Sequence, residues 1–342
     1  MSELRCFHVD AGKGLRRLAG LEEALVSVQA GGYVWLDLFE PTRQDLDAVA
    51  RPLGIHPLAV EDCLDEDQVP KIEDYPGHTF VLFNRYSYAD RTLIVDEIDL
   101  LLGKSFLISV SGHRGGGRRN LEKAEEMAGR EIGNVEKGPD FLLHVILDHI
   151  VDGKMPAIEA IEEDIEAAEE GMLQDPAAFK LETLVELRRS LLSLRKSLFH
   201  EREILVKICR KDSPFISELA IYHFRDIYDH LTKFFETCEM NRDILTSLME
   251  MFLSLINNRM ADVANRTNMS VRRLTLITTV FMPLTLLAGV GGMSEWSMMT
   301  GPPNWRIAYP LFLLAMVVIG GANYYLLRRI ERQDENRRMD RV

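Results

Sequence analysis

The sequence predicts a membrane protein of mixed α and β structure. A cytosolic α/β domain leads into an acidic helical hairpin, and a long stalk helix continues into the first of two membrane spans. Three observations predict it. Residues 274–294 and 307–327 are two 21-residue runs without a charged side chain. Strand-like runs are confined to the first third of the chain. Between Pro214 and Pro283 no proline interrupts a helical pattern.

Residues 1–115 form the expected α/β domain. Its strand-like runs are 33–38 (YVWLDL), 79–88 (TFVLFNRYSY), 93–102 and 106–110, and Pro41-Thr42 and His56-Pro57 read as helix starts. The loop SGHRGGGRR at 111–119 fits neither glycine-rich phosphate motif, GxGxxG or GxxxxGK[ST], so it reads as a connector and no nucleotide site is expected.

Residues 116–215 form the helical hairpin, with the helical pattern running from Asp140 onward. Ile158, Ile161, Ile165 and Met172 make an apolar stripe, with Glu159, Glu162, Glu163, Glu166, Glu169 and Glu170 around the rest of the helix. Gln174-Asp175-Pro176 breaks it. The next helix, 179–211, carries Arg188, Arg189, Arg195, Lys196 and Arg202. An acidic helix followed by a basic one reads as an antiparallel hairpin. The acidic face is either a solvated, salt-bridged surface or a region that concentrates cations.

Asp212-Ser213-Pro214 ends the hairpin, and the stalk, 216–273, follows. From 217 to 289 nothing but Pro283 stops a helix, a length of about 110 Å. Each uncharged run then covers roughly 30 Å, the thickness of a bilayer core, and a charge at its centre would cost about 3 kcal/mol. The first span is therefore 274–294 and the second 307–327. Arg272 and Arg273 precede the first. Arg328, Arg329, Arg332, Arg337 and Arg338, in the basic tail 328–342, follow the second, whereas the loop 295–306 has one acid and one base. The positive-inside rule places both termini in the cytosol and only that loop outside. The start MSELRCFHVD has no apolar signal segment, in keeping with a cytosolic amino terminus.

Composition narrows the function. The net charge is −13, which argues against nucleic acid as a partner. That sum conceals a divide, because 266–342 carries a net +5 and 1–265 a net −18. Cys6, Cys63, Cys209 and Cys238 are far apart with no CxxC pair, so neither a zinc ribbon nor a disulfide framework is expected. No nucleophile–base set, HExxH or Walker motif occurs, so neither an enzyme nor an organic cofactor is indicated.

Two spans per chain cannot enclose an aqueous path, so a pore would need several copies of the chain in the bilayer. Stepping by three or four residues, the first span would present Asn268, Val271, Leu274 or Thr275, Thr278, Met282 and Thr285. This face holds neutral oxygens and apolar groups without a carboxylate. Such a wall can pass a small divalent ion with its water in place. Packing of Thr and Met between helices accounts for the same periodicity equally well.

Longer motifs carry a resemblance. FMPLTLLAGVGGMSEW (281–296), VEDCLDEDQVPKIEDY (60–75), HFRDIYDH (223–230) and NRDILTSLMEMFLS (241–254) closely resemble segments of the CorA family of divalent-cation channels, and the likeness covers nearly the whole chain. The resemblance implies a homopentameric funnel in a bacterial-type cytoplasmic membrane. It also implies divalent cations as cargo and as regulatory ligands, Mg2+ first and Co2+, Ni2+ or Zn2+ as others. Asn268, Leu274, Met282 and Thr285 match the family's pore-lining positions, and Val271 stands where a gating methionine often sits. Asp226 matches an aspartate that holds an inhibitory cytosolic ion together with an acid of the neighbouring copy, here Asp90.

The chain departs from the family at three places. Gly292-Met293-Ser294 replaces Gly-Met-Asn at the outer mouth. The loop SEWSMMTGPPNW has Glu295 as its only acid. Residues 257–268 hold seven more residues than the common pattern, nearly two helical turns, which keeps the same face toward the axis. Ser294 offers a shorter polar group than asparagine, and this favours a second reading, a zinc or transition-metal transporter like the ZntB branch. A third reading is a non-conducting membrane scaffold or sensor. His223, Asp226 and His230, at i, i+3 and i+7, share one helix face that could hold zinc or nickel or serve as polar surface.

Overall fold

The computed structural model describes residues 3–65, 68–112, 121, 123–292 and 304–339. The motif residues Met293 and Ser294, and most of the 111–119 loop, lie outside them. The chain divides into two compact units, Met1–Phe252 and Leu253–Val342.

The first unit is built on a seven-stranded sheet. Its strands are β1 (Glu3–Asp10), β2 (Gly14–Leu18), β3 (Tyr33–Phe39), β4 (Ile72–Asp74), β5 (His78–Ala89), β6 (Thr92–Gly103) and β7 (Phe106–Ser111), in the order β2-β1-β3-β7-β6-β5-β4. Among the described residues only β3 and β7 pair in parallel. Strand β3 lies near the middle and is covered on both faces, which explains its uninterrupted YVWLDLF. Val34, Leu36 and Leu38 face a core shared with Leu46, Val49 and Val60. These belong to α2 (Arg43–Leu53) and α3 (Pro57–Asp62), which flank that face with α1 (Leu21–Ala30). Alternate residues serve the other face. There the Trp35 indole donates to Ser109 Oγ (3.0 Å), which donates to Asp37 Oδ1 (2.8 Å), and the Tyr33 hydroxyl donates to the Val135 carbonyl (2.7 Å).

Helix α2 begins at the predicted Thr42, as a capping box: Asp45 N–H donates to Thr42 Oγ1, and Thr42 N–H donates to Asp45 Oδ2. It ends at Gly54 in the left-handed region (φ 69°), which a side chain would strain. The four longer strand-like runs expected from sequence are β3, β5, β6 and β7. Strands β1, β2 and β4 and helix α1, by contrast, were not anticipated.

Past the sheet come α4 (Ala124–Arg130), α5 (Ile132–Val135), α6 (Pro139–Asp152), α7 (Met155–Gln174), α8 (Leu181–Cys209) and α9 (Glu218–Gly291). Ten of the 14 residues of α6 are buried, because it lies against β3, β5, β6 and β7 on one side and meets α9 on the other. Helix α7 buries the predicted Ile158, Ile161, Ile165 and Met172. Among the described residues no ion pair joins acidic α7 to basic α8; Arg195 of α8 pairs instead with Glu239 of α9, and Asn241 of α9 donates to Glu162 Oε1 of α7 (2.9 Å). The hairpin buries its apolar stripe, while its charged groups find partners on other elements, Asp164 on Arg91 and Lys207 on Asp74 among them.

Where α6 turns into α7, Lys154 and Glu201 are both fully buried and paired at 3.0 Å. Lys154 Nζ also donates to the Asn84 carbonyl and lies 4.7 Å from the Tyr86 ring centroid. Glu201 Oε1 accepts from Asn84 N (3.1 Å) and Ser197 Oγ (3.3 Å). Attraction inside a dry site offsets the desolvation of both charges only while both partners are present.

In the second unit, the part of α9 from Leu253 is accompanied by α10 (Trp305–Met339). Both helices contain stretches long and apolar enough to cross a membrane.

Two predictions follow from the first unit. Glu201→Ala should cost about 3–5 kcal/mol, because it strands Lys154 as a bare buried charge. The double variant with Lys154→Met should recover much of this, as read from thermal unfolding; a fully additive double variant would refute the coupling. Separately, His78 is 1% exposed and, among the described residues, its ring nitrogens have no hydrogen-bond partner. Burial, and then His56, hold its pKa down at about 4. An unfolded imidazole takes a proton near pH 6.5, so this contribution to stability is present above that pH and is lost as pH falls toward 4. His78→Phe should flatten the dependence of Tm on pH across that window, and an unaltered slope would assign the acid sensitivity elsewhere.

Candidate functional site

From Leu276 onward, the half-buried positions of α9 are Leu276, Val280, Pro283, Leu284, Leu287 and Gly291, and those of α10 are Ala308, Phe312, Met316, Gly320, Asn323 and Leu327. Both sets step by three or four residues, so each is one helix face. The two faces meet. A Cβ on Gly291 would lie 2.7 Å from the Phe312 ring, and one on Gly320 would lie 3.3 Å from Leu284.

At 100° per residue, Val271, Leu274, Thr278, Met282 and Thr285 lie on the side of α9 opposite this contact, and Asn268 continues the row. All six are exposed in the single chain, Met282 at 70%. The threonine hydroxyls there are oriented by their own helix: Thr278 donates to the Leu274 carbonyl and Thr285 to the Phe281 carbonyl, each at 2.9 Å. What Thr278 and Thr285 turn outward is therefore oxygen lone pairs, beside apolar groups and the Asn268 amide. Gly292 is the last described residue of the predicted mouth.

In the first unit, α6 and α9 run side by side and present ligand-bearing residues to each other. Helix α6 offers His144, Asp148 and Asp152, spaced by four; α9 offers His223, Asp226 and His230, spaced by three and four. The imidazoles of His144 and His223 have centroids 5.0 Å apart. Asp148 and Asp226 are within electrostatic reach of each other. His230 Nδ1 lies 3.8 Å from Asp152 Oδ1, and ligand atoms of Asp148, Asp152 and His230 all fall within 4.8 Å.

The three-residue face predicted on α9 alone is thus corrected: its histidines do not converge on one another but on two different groups of α6. Asp148 and Asp152 escaped the sequence reading because they sit in an apolar stretch, FLLHVILDHIVD, with no neighbouring ligand motif. Their pairing with α9 depends on contacts about eighty residues apart in sequence. Burial, and then Asp152, push the Asp148 carboxyl up to about 6, whereas His230 opposes the shift. A cation between the two carboxylates would relieve that strain.

Asp90 is placed differently. It and Arg91 form the two-residue turn between β5 and β6, both with positive φ (50° and 60°), as a type I′ hairpin requires. The tip is anchored by Arg91 and the Tyr88 hydroxyl, both on Asp164. Among the described residues no contact joins Asp90 to Asp226 within one chain.

The sequence pattern of the family described as CorA-like Mg2+ transporter protein matches residues 30–329. The chain is 31% identical over 289 residues to the cobalt/magnesium transport protein CorA of Thermotoga maritima, covering 83% of this chain and 79% of that protein. It is 30% identical over 290 residues to the putative metal ion transporter YfjQ of Bacillus subtilis, covering 84% and 86% respectively. Among solved structures, the complete CorA magnesium transporter of Methanocaldococcus jannaschii superposes with a TM-score of 0.67 at 22% identity, over 95% of this chain and 97% of that one.

A divalent cation held at the carboxylate end of the α6–α9 row should stabilise the chain by about 2.7 kcal/mol at 100 times its Kd. Asp152→Asn or Asp148→Asn should abolish most of the Mg2+-dependent rise in Tm. A rise of the same size in both variants would place the bound cation elsewhere.

Proposed function

Because this chain belongs to the CorA-like Mg2+ transporter family, we propose that it conducts divalent cations across the cytoplasmic membrane as a homo-oligomer of five copies. Mg2+ is the leading cargo, with Co2+, Ni2+ and Zn2+ as further candidates. The observation that carries the reading is the uncharged face Asn268, Val271, Leu274, Thr278, Met282 and Thr285, which is exposed and lies opposite the contact with α10. In an assembly this face is free to line a shared path. Residues 274–294 and 307–327 span the bilayer, and both termini are cytosolic. The mouth is formed by Gly292, Met293 and Ser294. Leu274 and Met282 are constrictions that gate by dewetting. An inside-negative potential drives entry, at about 4.6 kcal/mol per 100 mV for a double charge.

Regulation follows from the acids. A cytosolic cation bound between Asp226 of one copy and Asp90 of its neighbour neutralises repulsion between them and holds the closed state, so accumulated cargo shuts its own entry. Asp148, within electrostatic reach of Asp226, extends this acidic site. The second reading, transition-metal cargo, is favoured by the serine in place of asparagine at position 294.

Flux into proteoliposomes with Mg2+, Co2+, Ni2+ and Zn2+ tests both. The wild type should admit Mg2+, and Asp226→Ala should remain conducting at internal Mg2+ concentrations that close the wild type. Entry of Zn2+ alone, with Mg2+ entry gained in Ser294→Asn, would favour the transition-metal reading. No flux of any ion in either protein would reject transport.

A further inference from the structure

We propose that the cleft between the β5–β6 hairpin and α8 binds a nucleoside polyphosphate together with its Mg2+. The cleft lies within the first unit and encloses about 570 Å3, a volume suited to a small molecule. One wall is a single face of α8, where Arg189, Ser190, Ser193, Lys196 and Ser197 recur at helical spacing. The basic residues of α8 thus divide. Arg195 pairs with Glu239 and Arg202 lies over the Phe235 ring, both on α9. Arg189 and Lys196 line the cleft, and among the described residues they make neither an ion pair nor a hydrogen bond. Ser190 is 8% exposed, and among the described residues its hydroxyl has no hydrogen-bond partner either. Two unpaired cations flanking free hydroxyls suit phosphate oxygens, which accept strong, charge-assisted hydrogen bonds from guanidinium and ammonium groups.

The side facing α8 carries Val69, Pro70, Leu93 and Val95 beside Tyr86, a surface on which a flat base can lie. Charge varies along the cleft. Asn84 Nδ2 donates to Ser197 Oγ (3.1 Å) at the inner end, whereas Asp90 lies at the hairpin tip and Glu186 acts electrostatically on nearby Tyr88. The third acid, Glu97, already accepts from the Gln68 backbone N–H (3.2 Å). Residues 1–265 carry a net −18, a field that repels a bare polyanion. The Mg2+ complex is less charged, and Mg2+ takes carboxylates together with phosphate oxygens. Its cation therefore belongs toward Asp90 and Glu186, with the phosphates on Arg189 and Lys196. The sequence has neither glycine-rich phosphate motif, so side chains rather than backbone amides hold the phosphates.

The inference stands apart from the transport reading, because it is tested by binding to the full chain in detergent micelles. ATP and pyrophosphate are titrated calorimetrically, each with Mg2+ and with EDTA. The expected result is one ATP per chain, held more tightly with Mg2+ than with EDTA and more tightly than pyrophosphate. Arg189→Ala and Lys196→Ala should each weaken ATP at least about tenfold, and Glu186→Gln should remove the gain from Mg2+. Arg188→Ala, one residue away but outside the cleft, should leave the affinity unaltered. All four residues are exposed, so their variants report on binding rather than on folding. The proposal is overturned by an absence of ATP binding, by equal affinity in Arg189→Ala and Arg188→Ala, by indifference to Mg2+, or by pyrophosphate binding as tightly as ATP.

Discussion

The arrangement of the first unit depends on one dry ion pair. Lys154 sits where α6 turns into α7, Glu201 lies on α8, and the Asn84 backbone of β5 bonds to both side chains. Three elements distant in sequence are thereby fixed at one point. A pair of apolar residues could fill the same volume, but it would tolerate sliding, whereas a buried charge tolerates only the register that gives it its partner. The register matters because α6 also carries His144, Asp148 and Asp152. Shifted by one residue, α6 would rotate those groups by about 100° away from α9.

The second unit obeys a different constraint. A helix in a bilayer satisfies its own backbone and gains nothing from hiding apolar side chains, so contact between spans rests on close fit. Gly291 against Phe312 and Gly320 against Leu284 provide that fit. The consequence is a division of labour on α9, with small and bulky groups interlocking toward α10 and hydroxyl, thioether and amide groups on the opposite side. The same division lets each copy use one face for its own helix pair and the other for a path shared among copies.

Much of this was legible in the sequence. The two uncharged runs, the long helix, four strands and the Ile158–Ile161–Ile165 stripe follow from local patterning, which burial against a single partner layer imposes. What escaped has physical reasons. Strand β1 is eight residues of mixed character with polar ends, and its Cys6, Phe7 and Val9 make sense only once β3 lies beside it. Helix α6 is buried over most of its surface because it is covered by the sheet and by α9 together, so apolar residues fill the positions between its Asp and His residues. The candidate metal ligands were half visible: His223, Asp226 and His230 share a helical spacing, but their partners on α6 are defined by tertiary packing. The charge pattern of α7 and α8 reads as a hairpin, but it does not reveal that Arg195 of α8 pairs with Glu239 of α9.

The orientation of the hydroxyls on α9 has a consequence for the kind of surface an ion would meet. Thr278 and Thr285 direct their hydrogens to carbonyls of the preceding turn, so only acceptors point away from the helix. A hydrated cation is, from outside, a shell of donors, since each water turns its oxygen inward and its hydrogens outward. The wall thus complements the shell rather than the metal within it. A chloride hydrate, whose waters present oxygen outward, would find no donor from Thr278 or Thr285 along the same face. In the proposed pore, discrimination against anions would then need no fixed negative charge, and the rate of passage would not be tied to the slow exchange of water on magnesium.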